Sequence, residues 1–490
     1  MIVGLYTSRV VLATLGVEDY GVYNVVGGLV SMFGLLSGSM SAATNRYVAF
    51  ELGRGENTIE NLRKVFNLSI QIYLLLSVIT ILLVETVGLW FLFNKMTIPE
   101  GRMQAAFWVL QISVLTMVLS VMIIPYSAEI VAHERMTAFA YISVVEAVLK
   151  LAIVFVLRLS SFDKLIFYAV LLALVQMLIQ LCYMLYCHKM FPEIKYRRVK
   201  DWKLFKEMTS FAGWNMFGSL ASISCNQGLT MLLNVFFGPV ANAARAVATQ
   251  VQCGVTMFIT NFQTALNPQI VKSYAQKNFG VMHQLMYRSS KFSFFLMFML
   301  GLPVLIEAPI VLHVWLKTVP VDTVVFLRLI ICISLIYTIA NPILTANNAT
   351  GDVRIYYIVC GSLMILILPL SYCALKMGLP AYSVFVVHFF IEAVTQIVRL
   401  FMVRKRLQLS IRSCVKEVYI PIAIVVLTSS ILPCCLCWQL KDSLFRLVLV
   451  CVISVFSVAT CSLFFGFSCS ERQFVFRWIR GIISNGKYSR

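Results

Sequence analysis

The sequence predicts an all-α, polytopic membrane protein of about 14 transmembrane helices, built as two parallel-repeat six-helix bundles around a central cavity, with two C-terminal helices added. Three observations carry this reading. The 490 residues are 60% hydrophobic and 12% charged, with mean hydropathy +0.87, a composition that a soluble domain does not sustain. Apolar runs near the roughly 20 residues needed to cross a bilayer recur along the whole length. The chain also matches itself at a fixed offset.

The spans read, in order, as 1–16, 20–45, 65–93, 104–126, 138–157, 165–187, 208–236, 241–267, 292–314, 324–345, 355–373, 382–402, 418–437 and 445–466. Each is an apolar stretch bounded by polar or charged residues. Helix is the element that suits them, because backbone exposed to lipid must satisfy its own hydrogen bonds. The opening MIVGLYTSRVVLATLG is short for a span and carries Arg9 in its middle. It has neither the basic lead nor the small-residue cleavage site of an export signal.

The net charge of +19 would point to nucleic acid in a soluble protein, but its placement argues otherwise. Loops 46–64, 127–137, 187–207, 268–291, 346–354, 403–417 and 467–490, leaving out Arg46, hold 26 Lys and Arg. The opposite loops hold 7. The positive-inside rule puts the first set in the cytoplasm, with both termini, as expected for a multi-pass protein of a plasma membrane. The opposite loops are too short to fold an outward catalytic domain. Two basic-aromatic stretches, KYRRVKDWKLFKEM (195–208) and ERQFVFRWIRGII (471–483), read as helices in the headgroup layer, where they would meet membrane lipids. The 14 cysteines show no metal-ligand spacing, and His133, His188, His283, His313 and His388 are too dispersed in sequence for a metal site. No P-loop, Rossmann glycine pattern or nucleophile–base set appears. No cofactor is expected.

At an offset of 222, Gly16 meets Gly238, Asn45 meets Asn267, Glu85 meets Glu307, Lys95 meets Lys317 and Glu100 meets Asp322. At an offset of 217, Pro125 meets Pro342. The offset covers six spans, an even number, so the halves enter the membrane from the same side and are parallel repeats. Residues 1–200 form one bundle and 201–406 the other. Residues 407–466 add two helices and 467–490 form a basic tail. A cavity between two such bundles favours transport by alternating access.

Charges inside the spans each need a reason. Glu146 and Lys150 can pair at i, i+4. Glu85 and Glu307, repeated in both halves, read as a shared packing or hinge feature. With Glu146 and Glu392 they are also candidates for coupling to a H+ or Na+ gradient. Arg9, Arg46, Arg245 and Lys272 have no repeat counterpart: Arg9 aligns with Met231, Arg46 with Pro268 and Arg245 with Tyr23. If they face the cavity, they make it cationic and suited to a phosphate-bearing cargo, which arginine grips with a planar fork. Snorkelling and positive-inside anchoring are the alternatives. Gln250 and Asn267, with Asn45, can bind a sugar or bridge helices.

The run LYTSRVVLATLGVEDYGVYNVVGGLVSMFGLLSGSMSAATNRYVAFELGRG resembles the start of bacterial polysaccharide flippases of the MATE-like multidrug/oligosaccharidyl-lipid/polysaccharide superfamily. The likeness continues in ETVGLWF (85–91), in IPYSAEIVAHERMTAFAYISVVEAVLKL (124–151) and in NAARAVATQVQ…NFQTALNPQIVKSYA (242–275). It implies two six-helix lobes, often with two extra helices. It also implies export of undecaprenyl-pyrophosphate-linked O-antigen or capsule repeat units, made and used by glycosyltransferase and polymerase machinery. Arg9, Arg46, Arg245, Asn267 and Lys272 lie inside the matching motifs. A cation-coupled drug antiporter of the same fold and a lipid II flippase are the competing readings; a polymerase or ligase would need a larger outward loop.

Overall fold

The computed structural model describes residues 10–473 except 12, 13, 17, 24, 25, 28, 29, 31–33, 56, 57, 95, 97, 99, 100, 160–162, 198, 317, 318, 469 and 470. Arg9, Lys95, Glu100, Lys317 and most of the basic tail therefore lie outside the described residues. Among those described, every regular element is helical. The longer helices are α1 (Gly34–Arg54), α2 (Thr58–Leu83), α3 (Met103–Ala132), α4 (Met136–Leu159), α5 (Lys164–Met190), α6 (Trp202–Ala275), α7 (Phe279–Ile306), α8 (Ala308–Leu316), α9 (Thr323–Ala349), α10 (Arg354–Lys376), α11 (Ser383–Arg406), α12 (Ile420–Gln439) and α13 (Leu444–Cys461). Eleven helical stretches of the described chain are long and apolar enough to cross a membrane. One of them, α6, is two helices joined end to end at Gly238.

The lipid-facing reading explains the surface. On α2, Leu74, Leu75, Val78 and Leu82 are exposed, a pattern that water would punish and acyl chains accept. Hydroxyls in the spans bond back to their own helix: Ser77 donates to the Tyr73 carbonyl and Thr116 to the Ile112 carbonyl, each at 2.8 Å. This leaves no bare polar group against hydrocarbon at those turns.

The residues form two compact units, Met1–Ser219 with Val271–Lys277, and Leu220–Ile270 with Asn278–Arg490. In the first, α3 packs on α5 and on α1, and α4 packs on α5. Val109, Leu110, Ala106, Leu165 and Ala169 fill that contact. In the second, α7 packs on α9, α9 on α11 and α10 on α11, while α12 and α13 pair and lie on α7.

The internal match has a backbone counterpart. Left-handed φ values occur at Gly16 (82°) and Gly238 (73°), at Gly55 (77°) and Lys277 (56°), and at Glu134 (60°) and Gly351 (82°). The first two pairs sit at the 222-residue offset and the third at 217. Glu85 and Glu307 both fall where a helix loses regularity: Glu85 inside a π-turn at Val84–Gly88 and Glu307 at the break between α7 and α8. Pro125 and Pro342 are both helix-interior.

Gly238, at φ 73° and ψ −168°, occupies a region open essentially only to glycine. It is followed by Pro239, which lacks an amide hydrogen to continue the helix. Gly238→Ala should cost about 1–3 kcal/mol and lower the melting midpoint of the detergent-solubilised protein. Gly280→Ala, in an ordinary helical position where a Cβ would meet Asn278 Oδ1 at a comfortable 3.8 Å, is the control that should leave the midpoint in place.

Two sequence expectations are corrected. The stretch 195–208 is not one interfacial helix: residues 195–197, 199 and 200 are non-helical, and α6 starts at Trp202, capped by Asp201, whose carboxylate accepts from the Leu204 amide at 2.9 Å. The ninth span begins earlier than the apolar pattern indicated. Residues 279–291, expected in a loop, are the first turns of α7, because a helix continues beyond the apolar stretch when its polar side chains find partners. Lys291 is the case in point, buried and donating to Glu471 at 2.8 Å.

Candidate functional site

The densest polar core lies in the second unit, along one face of α11. His388, Glu392, Thr395, Gln396 and Arg399 follow helical spacing and are all buried. The helix ends in Arg404, Lys405 and Arg406, basic residues where the dipole favours them. Arg399 donates to the Glu392 carboxylate at 2.6 Å and to the Gln396 side-chain oxygen at 3.2 Å. Gln396 in turn donates to the Tyr419 hydroxyl at 2.9 Å, and the Arg399 guanidinium stands 6.0 Å from the Tyr337 ring centroid. Glu392 had no sequence-evident partner. The structure corrects that, because seven residues is two helical turns and brings Arg399 onto its face.

Arg245 belongs to the same unit and is held differently. It sits in the second stretch of α6 and reaches back to the first. It donates to the Asn226 carbonyl at 2.8 Å, to the Asn226 side-chain oxygen at 3.3 Å and to the Thr230 hydroxyl. All these partners are neutral, and among the described residues no carboxylate pairs with it. Other cations do have one. Lys150 pairs with Glu146 at 2.6 Å, Lys272 with Glu134 at 2.7 Å, and Arg446 with Glu307 at 2.9 Å.

Arg46 and Lys272 belong to the first unit, Asn267 and Gln250 to the second. Arg46, in the first unit, is buried with its guanidinium 4.3 Å from the Tyr47 ring centroid and 4.8 Å from that of Phe50. Lys272 is neutralised by Glu134. Asn267, in the second unit, accepts from Thr345 at 3.2 Å and so bridges α6 to α9. Gln250 is exposed. Of the carboxylates read as coupling candidates, Glu146, Glu307 and Glu392 hold a basic side chain, whereas Glu85 forms no ion pair among the described residues.

The first unit contains a cavity of about 330 Å³, lined by Tyr23, Gly27, Ser37, Ser113, Thr116 and Ser120 among others, with no charged side chain in its wall among the described residues. Near the end of α3, Glu129, His133 and Glu193 come together, which the dispersal of histidines in the sequence did not indicate. The i, i+4 spacing of Glu129 and His133 was the available signal. Burial opposes ionisation of Glu193, but the bond with His133, a backbone hydrogen bond and the charges of His133 and Arg63 outweigh it, holding its carboxyl below the ordinary value. Arg102 bridges Asp19 and Asp163, the latter at 2.5 Å, a further tie that the sequence did not reveal.

No family model and no curated protein matches this sequence. Solved structures do match its fold. MATE in the bent conformation superposes at a TM-score of 0.70 with 15% identity, covering 83% of this chain and 91% of that one. A multidrug resistance MATE family transporter of the MOP superfamily, in an outward-facing conformation, gives 0.69 with 14% identity, covering 83% and 94%. A MOP superfamily transporter from Pyrococcus furiosus Vc1 (DSM3638), described by a reversed polarity of its binding pocket, gives 0.64 with 13% identity, covering 83% and 93%. The fold is that of MATE transporters.

Proposed function

We propose that the chain is a membrane transporter of anionic, lipid-linked cargo, and that the cargo is an undecaprenyl-pyrophosphate-linked oligosaccharide moved across a bacterial inner membrane by alternating access. Both termini then lie in the cytoplasm. The reading starts from the MATE-like fold and the motifs shared with polysaccharide flippases. The single observation that favours an anion is Arg245, a guanidinium in a spanning helix held only by neutral oxygens. A cation there, without a carboxylate to cancel it, is costly, and a pyrophosphate offers the missing charge through paired hydrogen bonds.

No covalent bond changes in this activity. Moving a sugar–pyrophosphate headgroup through bare hydrocarbon would strip many polar groups of hydrogen bonds, each at several kcal/mol. The protein's part is to shield the headgroup while the prenyl tail stays in lipid. The cavity of the first unit offers the hydroxyls of Ser37, Ser113, Thr116 and Ser120 in a mainly apolar wall, donors and acceptors that a sugar headgroup can use.

A cation-coupled drug antiporter is the second reading. The fold admits it, but the uncompensated charge at Arg245 repels a cationic drug. Deleting the gene separates the two. Loss of surface glycan with completed lipid-linked units accumulating on the cytoplasmic face is the expected result; intact glycan with new drug sensitivity would overturn it. At the residue level, Arg245→Ala should abolish surface glycan at normal protein level, and Arg245→Lys should keep part of it. Full display in the alanine variant removes Arg245 from the cargo path.

A further inference from the structure

We propose that Glu129, His133 and Glu193 form a binding site for one divalent transition-metal cation of the zinc type, at the end of α3. The three ligand atoms lie within 4.8 Å of one another. Glu129 and His133 project from one helix face four residues apart, with Glu129 Oε2 3.8 Å from His133 Nε2. Glu193 arrives from the segment that follows α5, its Oε1 2.7 Å from the same nitrogen.

The independent sign of a ligand is Glu129 itself. It is fully buried, and neither carboxylate oxygen receives a hydrogen bond from any described residue. A carboxylate in that setting calls for a cation or a proton, and a second buried carboxylate, Glu193, stands beside it. One imidazole and two carboxylates is a donor set that tetrahedral zinc accepts, with a remaining position for water. The imidazole disfavours Mg2+ and Ca2+, which take oxygen ligands.

The fit needs a small movement. Bonds of 2.0–2.2 Å in a tetrahedron place ligand atoms about 3.3–3.6 Å apart, so the His133–Glu193 contact opens slightly while the His133–Glu129 contact closes. The surroundings hold the rest in place. Phe191 stacks on His133 with centroids 4.3 Å apart. Asn67 donates to the Lys195 carbonyl at 3.0 Å and accepts from the Arg197 amide at 2.9 Å, so the Glu193 segment is already anchored on α2. His133 is a quarter exposed, which gives an ion a way in. A bound ion would lock the segment leaving α5 to the end of α3.

The test uses the full-length chain in detergent, without an affinity tag, its accessible cysteines alkylated and its metals stripped by a chelator. After incubation with Zn2+ and gel filtration, the protein should retain close to one zinc per chain, and Zn2+ should raise its melting midpoint. Equal concentrations of Mg2+ or Ca2+ should not displace it. Glu193→Gln and Glu129→Gln should each weaken zinc retention by about 100-fold and abolish the midpoint shift. His133→Cys, made with the native accessible cysteines replaced by serine instead of alkylated, supplies a thiolate that zinc also accepts and should retain binding, and an unchanged gel-filtration profile shows that the glutamine variants are folded. Equal zinc on the wild type and both glutamine variants would overturn the proposal. So would a wild type that binds none while Glu129→Gln melts higher in metal-free buffer, the signature of a carboxylate pair sharing a proton.

Discussion

Replacing Arg399 with leucine should destabilise the folded protein by about 3–5 kcal/mol, the cost of leaving a buried charge without its partner. Glu392 is fully buried, and the Arg399 guanidinium, at 2.6 Å, is the only cation paired with its carboxylate among the described residues. The same substitution frees the Gln396 oxygen that Arg399 now engages and leaves the Tyr337 ring without the cation at its face. The penalty belongs to the unpaired carboxylate rather than to the lost arginine. Glu392→Met added to Arg399→Leu should therefore recover most of the loss, since a buried ion pair and a well-packed apolar pair are often of similar stability. Melting midpoints of the wild type, the two single variants and the double variant in detergent decide it. If Arg399→Leu melts like the wild type, the α11 core is not held by this pair.

The double cycle also bears on coupling. A carboxylate that already holds a basic side chain exchanges a driving ion only when that contact opens. Glu146, Glu307 and Glu392 all share this constraint. Glu85, in its π-turn, does not.

Much of the architecture was legible because lipid imposes a simple rule: a helix in hydrocarbon must be apolar for about 20 residues. Helices α2 to α5, the two stretches of α6, and α9 to α13 correspond to runs visible in the sequence. The self-match at an offset of 222 has a backbone correlate: Gly16 and Gly238 both hold a left-handed φ. What escaped was polar structure. Residues 279–291 look like a loop because Ser289, Ser290 and Lys291 are hydrophilic, yet all three are buried. Lys291 is held by Glu471, 180 residues away, and Ser290 donates to the Ile339 carbonyl at 3.3 Å, and no local pattern encodes such partners. Glu392 and Arg399 differ: their spacing on one helix face was readable once helical periodicity is applied to charges as well as to apolar residues. The pairing of the in-span cations escaped for a related reason. A list of in-span arginines and lysines says nothing of which ones a carboxylate has already claimed. Lys272 is claimed by Glu134, and Arg245 by no acid among the described residues.

Removing the two C-terminal helices, which have no counterpart in the repeat, should abolish folding rather than merely trim the protein. Arg446 on α13 holds Glu307 at the break between α7 and α8 with two contacts of 2.9 Å, and its remaining nitrogen donates to the Leu440 carbonyl at 3.0 Å. Lys291, at 2% exposure, is held by Glu471 beyond α13. Truncation after Gln408 strands both Glu307 and Lys291, each a buried charge whose loss of partner costs about 3–5 kcal/mol. That sum rivals the whole stability of an ordinary domain. The expected result is no monodisperse protein by gel filtration after detergent extraction. The same truncation carrying Glu307→Gln and Lys291→Met should yield more folded protein, because the stranded charges are gone although the α7 surface is still uncovered. If the plain truncation extracts as well as the full chain, the two helices are not electrostatic clamps. If the substitutions bring no recovery, the apolar contact of α12 and α13 with α7, and not the ion pairs, holds the second unit together.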